Sequence, residues 1–522
     1  MIKKIMALGC VAALLLSGCQ KGGTVSNSDF KFKKYPMETD QKLTYWMDMN
    51  TSISSVVDNA GKTDFAKELE KRTGVQVEYI HPATGQESTA LNLMIASDQL
   101  PDLIETSWAD FNGGAEKSIS EGIIYQLNDI IDKNAPNLKK YLQEHPEIDK
   151  MVKTDEGNYY AFPFIRGDKR LLISVGTLIR SDWLKELGLE EPKTVADTEN
   201  ILRAFKEKKG ATAPLSYVPG KRDTFLGNFG TSTGCYLEDG KVVYGPLTEN
   251  YKTAVETLKR WYDEGLLDPN FVSVDDTVLS ANVLNGKTGI TVGTGGGNLG
   301  GWLDTMKDKD FDMTGIPFTR ISEDKPISFY KVETEYPKYG SVAITTACKN
   351  PELAARWLDY AYSDEGHILY NFGVEGVSFE EKDGEYVYTD MIYNNPNGLT
   401  MQQAMANYFR SSLKGPFVQS KGYIDQFYFR PQQQQALDAW LLGYDEVSKN
   451  NIPNISRTDE EAKEYSGIMA EISKYESKMF TNFIIGTTPL SEYDSFVAKI
   501  KSLNIDRAIE IQEAALDRYN KR

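Results

Sequence analysis

The chain opens with its longest apolar run, residues 5–16, directly behind Lys3 and Lys4. A run of about a dozen residues is too short to span a bilayer, so it reads as a secretory signal. After a polar stretch the pattern becomes periodic. Residues 43–46 are a short apolar strand. Residues 64–72 place Phe65 and Leu69 four apart, a helical spacing, and Gly74 is a stop. Residues 75–80 alternate Val75, Val77 and Tyr79 with polar neighbours, as a strand does. Residues 89–97 read as helix, Pro101 breaks it, and 102–105 form another strand. Strand–helix–strand–helix–strand predicts a parallel sheet. Ligands of such sheets gather outside the carboxyl ends of the strands. This puts Trp46 through Asn50 and Glu105 through Trp108 beside one crevice.

Farther on, the aromatic run Tyr159 to Phe164 precedes an expected crossing into a second domain. Helices are predicted over 181–187, 195–208 and 250–264. In the last of these Tyr251, Val255, Leu258 and Tyr262 share a face. A strand over 288–292 leads into a glycine-rich loop, and an apolar strand over 339–346 is the expected return. Asn350 caps a helix that has Pro351 at its first position. Ser363 starts another helix, which stops at Gly373. From Phe417 onward the chain is helical and charged. Thr458-x-x-Glu461 is a capping box, Ser491-x-x-Asp494 a weaker one, and 506–519 a terminal helix. Gln432 to Gln435 read as a helix surface.

Composition narrows the function. With 522 residues and a net charge of −17, the chain is long enough for two domains and too acidic for nucleic acid as a partner. Behind the leader only Cys19, Cys235 and Cys348 remain, so disulfides do not staple the fold. Cys235 and Cys348 are expected in different lobes and unpaired. Tyr, Phe and Trp number 29, 22 and 7, which leaves many aromatic faces to assign.

Leu16-Ser17-Gly18-Cys19 resembles the lipobox of bacterial lipoproteins. That resemblance implies a signal peptide over 1–18, lipidation of Cys19, and a flexible tether over 19–39. A larger resemblance spans nearly the whole mature chain. It is carried by Pro351 to Tyr360, by Asp364-Glu365-Gly366, by Asn371 to Gly376, by 93–101, by Ile179 to Leu184, by 261–268 and by Ala514 to Tyr519. These stretches resemble the large extracellular solute-binding lipoproteins of bacterial ABC sugar transporters. The resemblance implies an α/β, two-lobed periplasmic-binding-protein-like fold with a ligand cleft between the lobes. The first lobe is expected over 40–165 plus 340–415, and the second over 166–339 plus 416–522 with the C-terminal helices. It further implies a monomer on the outer face of the cytoplasmic membrane. Such a protein delivers an oligosaccharide to permease subunits, without enzymatic activity or cofactor. One departure concerns calcium. Many large relatives carry a carboxylate-rich loop after the helix ending Ala-Phe-Lys, whereas here Ala204-Phe205-Lys206 runs on to Gly210-Ala211-Thr212-Ala213-Pro214. That stretch lacks the oxygen ligands calcium needs, so no metal site is expected there.

Candidate ligand-binding residues follow from the predicted crevice edges. Trp46, Trp108 and Trp302 follow strands or loops, and each is either core or a sugar-stacking face. Tyr330 and Tyr428 are further aromatic candidates. Asn50, Asn298 and Arg166 offer polar contacts, although a surface ion pair would serve Arg166 equally well. Trp183, Trp261 and Trp357 sit at helical spacing and read as core. Gly295-x-Gly297-x-x-Gly300 matches a dinucleotide fingerprint in form, but no acidic residue ends a following strand at the expected distance. Its glycines suit a plain flexible loop or a close backbone approach to a ligand. No nucleophile elbow, His-Glu-x-x-His or Cys-x-x-Cys motif occurs. Carboxylates are plentiful, so a surface-anchored glycan-degrading enzyme is the alternative from a different class. Closure about crossings near 163–166 and 339–342 is expected, and 409–417 is ambiguous as a third.

Overall fold

A computed structural model describes residues 34–522 except 110, 112 and 339. The leader, Cys19 and the tether as far as residue 33 lie outside the described residues. Among those described, no helix is long and apolar enough to cross a membrane.

The first lobe is built on a four-stranded sheet in the order Ser341–Ile344, Leu103–Thr106, Lys42–Trp46, Gln76–Ile80. The last three are parallel and Ser341–Ile344 is antiparallel to its neighbour. The register sets Trp46 beside both Ile80 and Ile104. Helix Asp64–Thr73 connects the first two strands of the chain. Thr63 caps it, and Gly74 ends it at φ +75°. Only glycine fits there, because a Cβ would stand 2.2 Å from the Met37 carbonyl oxygen.

The second lobe holds a three-stranded sheet, Ile290–Thr294, Val175–Ile179 and Thr314–Gly315, which is antiparallel throughout. Helix Glu249–Asp263 packs against the 27-residue helix Asp459–Ile485 and buries Tyr251, Val255 and Leu258, as its periodicity predicts. Trp183, Trp261 and Trp357 are all buried.

One large core joins apolar residues between 37 and 165, between 336 and 370, and at 417–418. A second joins residues 179–316 to the C-terminal helices, and a third joins 173–332 to 436–447. Phe164–Arg166 pairs in parallel with Phe417–Gln419, with Phe164, Ile165, Phe417 and Val418 packed into the first core, and the Arg166 N–H donates to the Glu335 carbonyl at 2.8 Å.

Two local expectations are corrected. Of Gln432 to Gln435, all on helix Pro431–Trp440, only Gln435 is exposed: Gln433 is buried and donates to the Gly295 carbonyl at 2.8 Å, while Gln434 donates to the carbonyls of Asp425 and Tyr428. Ser491 caps nothing. The helix there begins at Tyr493 without a side-chain cap, because a 3₁₀ turn over Leu490–Glu492 leads into it.

Candidate ligand-binding site

The carboxyl ends of the parallel strands deliver Asp48 and Asn50 to one edge of the first lobe. Asn50 is committed to the fold at both ends of its amide. Its Oδ1 accepts from the Ile53 N–H at 2.9 Å, capping helix Thr51–Ser54, and its Nδ2 donates to the Ser411 carbonyl at 3.1 Å. A primary amide has a second N–H, which this arrangement leaves over.

Across that edge lies 410–415, the connection between helix Met401–Tyr408 and strand Phe417–Gln419. It is fastened at two points. Arg410 donates to both oxygens of Glu105 at 2.7 and 2.8 Å, and the Tyr45 hydroxyl donates to the same carboxylate. The Glu105 and Arg410 side chains are 1 % and 8 % exposed, so this pair lies in the interior. Burial alone would lower the pKa of Arg410. The Glu105 carboxylate, with smaller contributions from Tyr45, Tyr370 and Tyr79, offsets that, so the net shift is upward and the guanidinium is held charged. The second fastening is Lys414, whose Nζ lies 2.9 Å from each Asp48 oxygen. Gly415 turns the chain at φ +114° over the Arg410 side chain, where a Cβ would approach Nε to 3.0 Å. Asp48, Asn50, Ile53, Tyr423 and residues 410–414 together line an open hollow of about 360 Å³. Its rim mixes carboxylate, hydroxyl, amide and ammonium groups with the exposed Leu413. Such a surface hydrogen-bonds a polyhydroxylated ligand and gives its C–H faces an apolar contact.

The aromatic candidates lie elsewhere. Trp46 and Trp108 are buried in the first core, and the Trp108 indole N–H donates to the Ile104 carbonyl at 3.1 Å. Trp302 is buried in the second lobe and donates to Ser280 Oγ at 3.0 Å. Tyr330 stacks on Phe318 at 4.2 Å and donates to the Leu442 carbonyl. Tyr428 is packed against Gly295 and Gly296. None of these five rings presents an open face. The physical reason is that elements on both sides of a sheet bury strand residues pointing either way, so a strand-end position does not by itself expose a side chain.

The polar candidates are also engaged. Asn298 accepts from the Thr294 N–H at 3.0 Å and from Lys221 Nζ at 2.9 Å, closing the turn of its own glycine-rich loop. The glycines of that loop admit neighbours: a Cβ on Gly295 would meet the Tyr428 ring at 2.7 Å, and one on Gly300 would meet Gln433 at 2.7 Å. Arg166 is buried, 3.3 Å from Glu333. Of the eight ligand-binding candidates only Asn50 lines the hollow. Sequence reasoning missed 411–414 and Tyr423. A polar Arg-Ser-Ser between an apolar helix and an apolar strand is a visible signal, but Glu105, which fastens it, lies 305 positions away.

Helix Val195–Lys209 ends at Gly210, directly before Ala211-Thr212-Ala213-Pro214. By Ala213 the backbone is already bonded to the Lys287 carbonyl. Among the described residues no group of three or more His, Cys, Asp or Glu is placed to hold a metal ion.

Comparison with known proteins agrees with this architecture. An extracellular solute-binding protein from Bifidobacterium longum subsp. infantis superposes with a TM-score of 0.74 at 19 % identity, covering 92 % of this chain and 99 % of that one. The alginate-binding protein AlgQ2, solved without calcium ion, gives 0.70 at 23 % identity, with coverage of 93 % and 100 %. In sequence, the fructooligosaccharide ABC transporter substrate-binding protein FusA of Streptococcus pneumoniae serotype 4 is 25 % identical over 97 % of this chain and 96 % of its own. Lipoprotein LipO of Bacillus subtilis is 28 % identical over 80 % and 81 %. The profile of the bacterial extracellular solute-binding proteins, which bind solutes and are not enzymes, matches residues 54–368, more than half of the chain, and the chain belongs to that family.

Proposed function

We propose that this protein is a lipid-anchored receptor that captures an oligosaccharide and delivers it to the permease subunits of an ABC transporter. The observation that carries the reading is the end-to-end likeness to FusA, whose name states both a fructooligosaccharide ligand and an ABC transporter. The hollow beside Asp48, Asn50 and Lys414 supports it, because it offers donors and acceptors of the kind sugar hydroxyls pair with. We assign ligand contact to Asp48, Asn50, Ser411, Ser412, Lys414 and Tyr423. The lobes, 40–165 plus 340–415 and 166–339 plus 416–522, close over the ligand as a monomer. Cys19 holds the body on the outer face of the cytoplasmic membrane, a reading supported by the Leu16-Ser17-Gly18-Cys19 motif and by the likeness to a protein named as a lipoprotein.

A thermal-shift screen against a glycan panel tests the ligand. A ligand at 100 times its Kd adds about 2.7 kcal/mol of stability, which is well resolved. A panel with no stabilising member refutes the reading. Metabolic labelling with a fatty-acid analogue tests the anchor: wild type takes the label and Cys19→Ala does not, and equal labelling of both refutes it.

A further inference from the structure

We infer that the hollow accepts uncharged oligosaccharides and rejects carboxylated ones, and that Asp48 sets this preference by neutralising Lys414. The inference rests on the oligosaccharide reading above and narrows it. Two cations line the hollow, and each already faces its own carboxylate. Arg410 is locked to Glu105 in the interior. Lys414 is held by both oxygens of Asp48, with the two side chains 36 % and 26 % exposed. The charge of these four groups therefore sums to zero.

Carboxylated sugars are bound through charge-assisted hydrogen bonds from lysine or arginine. Here such a ligand would have to take Lys414 from Asp48, leaving Asp48 facing a second carboxylate, or give up its hydration without a cationic partner. Arg166, Arg170 and Lys221 do not line the hollow, and each has a carboxylate of its own. Arg166 faces Glu333, Arg170 faces Asp425, and Lys221 faces Asp276. The overall charge of −17 adds long-range repulsion of polyanions. A neutral sugar meets no such cost. Its hydroxyls both donate and accept, so they pair with the free edges of Asp48, the serine hydroxyls of 411–412 and the second Asn50 N–H.

The test is calorimetric titration of the full chain with neutral fructan, xylan, mannan and glucan oligosaccharides and with alginate and galacturonan oligosaccharides of matched length. Every binder is expected to be neutral. In Asp48→Asn, with Lys414 released, the affinity for acidic oligosaccharides relative to neutral ones should rise about tenfold, and the gain should shrink with added salt. An acidic oligosaccharide that binds wild type as tightly as any neutral one overturns the inference and leaves the oligosaccharide reading standing. An unchanged ratio in a folded Asp48→Asn overturns the role of Asp48. A wild type that binds no panel member overturns the oligosaccharide reading and this inference with it. The wild-type comparison decides the charge preference even if the variant fails to fold.

Discussion

The interior pair of Glu105 and Arg410 makes a quantitative prediction. Arg410→Met removes the guanidinium and leaves the Glu105 carboxylate, 1 % exposed, with only the Tyr45 hydroxyl as a polar neighbour from this network. Breaking a buried pair by deleting one member costs about 3–5 kcal/mol, because the surviving charge keeps its desolvation penalty without compensation. That is a large share of the roughly 5–15 kcal/mol that holds a typical protein folded. Removing the whole polar network should cost far less. In Tyr45→Phe/Glu105→Leu/Arg410→Met nothing charged remains to be desolvated, and packed apolar replacements of similar volume are neutral to stabilising by about 1–4 kcal/mol. Urea unfolding followed by tryptophan fluorescence reads both variants. The single variant should lose several kcal/mol, and the triple variant should regain most of it. The 411–414 segment loses one of its two fastenings in both and keeps Lys414 on Asp48, so both should bind ligand more weakly than wild type, and only the single variant should be unstable. A single variant within about 1 kcal/mol of wild type refutes the reasoning, since it would mean that water reaches the pair.

Three further predictions use other parts of the molecule. Burial raises the Asp359 carboxyl from 3.8 to about 6, even though Asn137 and the Leu138 N–H donate to it. The folded chain therefore holds more protons than the unfolded one between those values, and this contribution to stability is lost as pH rises through about 6. Asp359→Asn abolishes it, so variant-minus-wild-type stability should rise by up to about 3 kcal/mol between about pH 4 and about pH 7; a flat difference contradicts the shift. Cys235 and Cys348 are free, and burial pushes their thiols up to about 11 and about 12. Both should resist a thiol reagent at neutral pH, buried Cys348 more than half-buried Cys235, and react once the chain is denatured without reductant; fast native labelling would contradict the raised thiols. Trp302→Ala should cost about 3–5 kcal/mol of stability and leave the affinity of the folded fraction nearly unchanged, because the ring is core. Calorimetric titration showing a large affinity loss at intact stability would return Trp302 to the ligand surface.

The sequence alone determined most of what is local. Asn350, Ser363 and Thr458 cap the helices they were expected to start, each accepting a bond from the backbone N–H three residues on. The strands of the first lobe, and the crevice edge at their carboxyl ends, follow from alternation and order. Tertiary structure decided which side chains reach that edge. Trp46 and Asn50 are four residues apart, yet one is interior and the other lines the hollow, because burial depends on what packs over a position rather than on its place in a strand. The glycines of 295–300 could not reveal that they make room for Tyr428 and Gln433, more than a hundred residues on. The fastening of 410–415 joins Glu105 and Lys414 to partners more than three hundred positions away. No periodicity reports such a pairing, since it depends on the path of the chain through both lobes and on the cost of burying either charge alone.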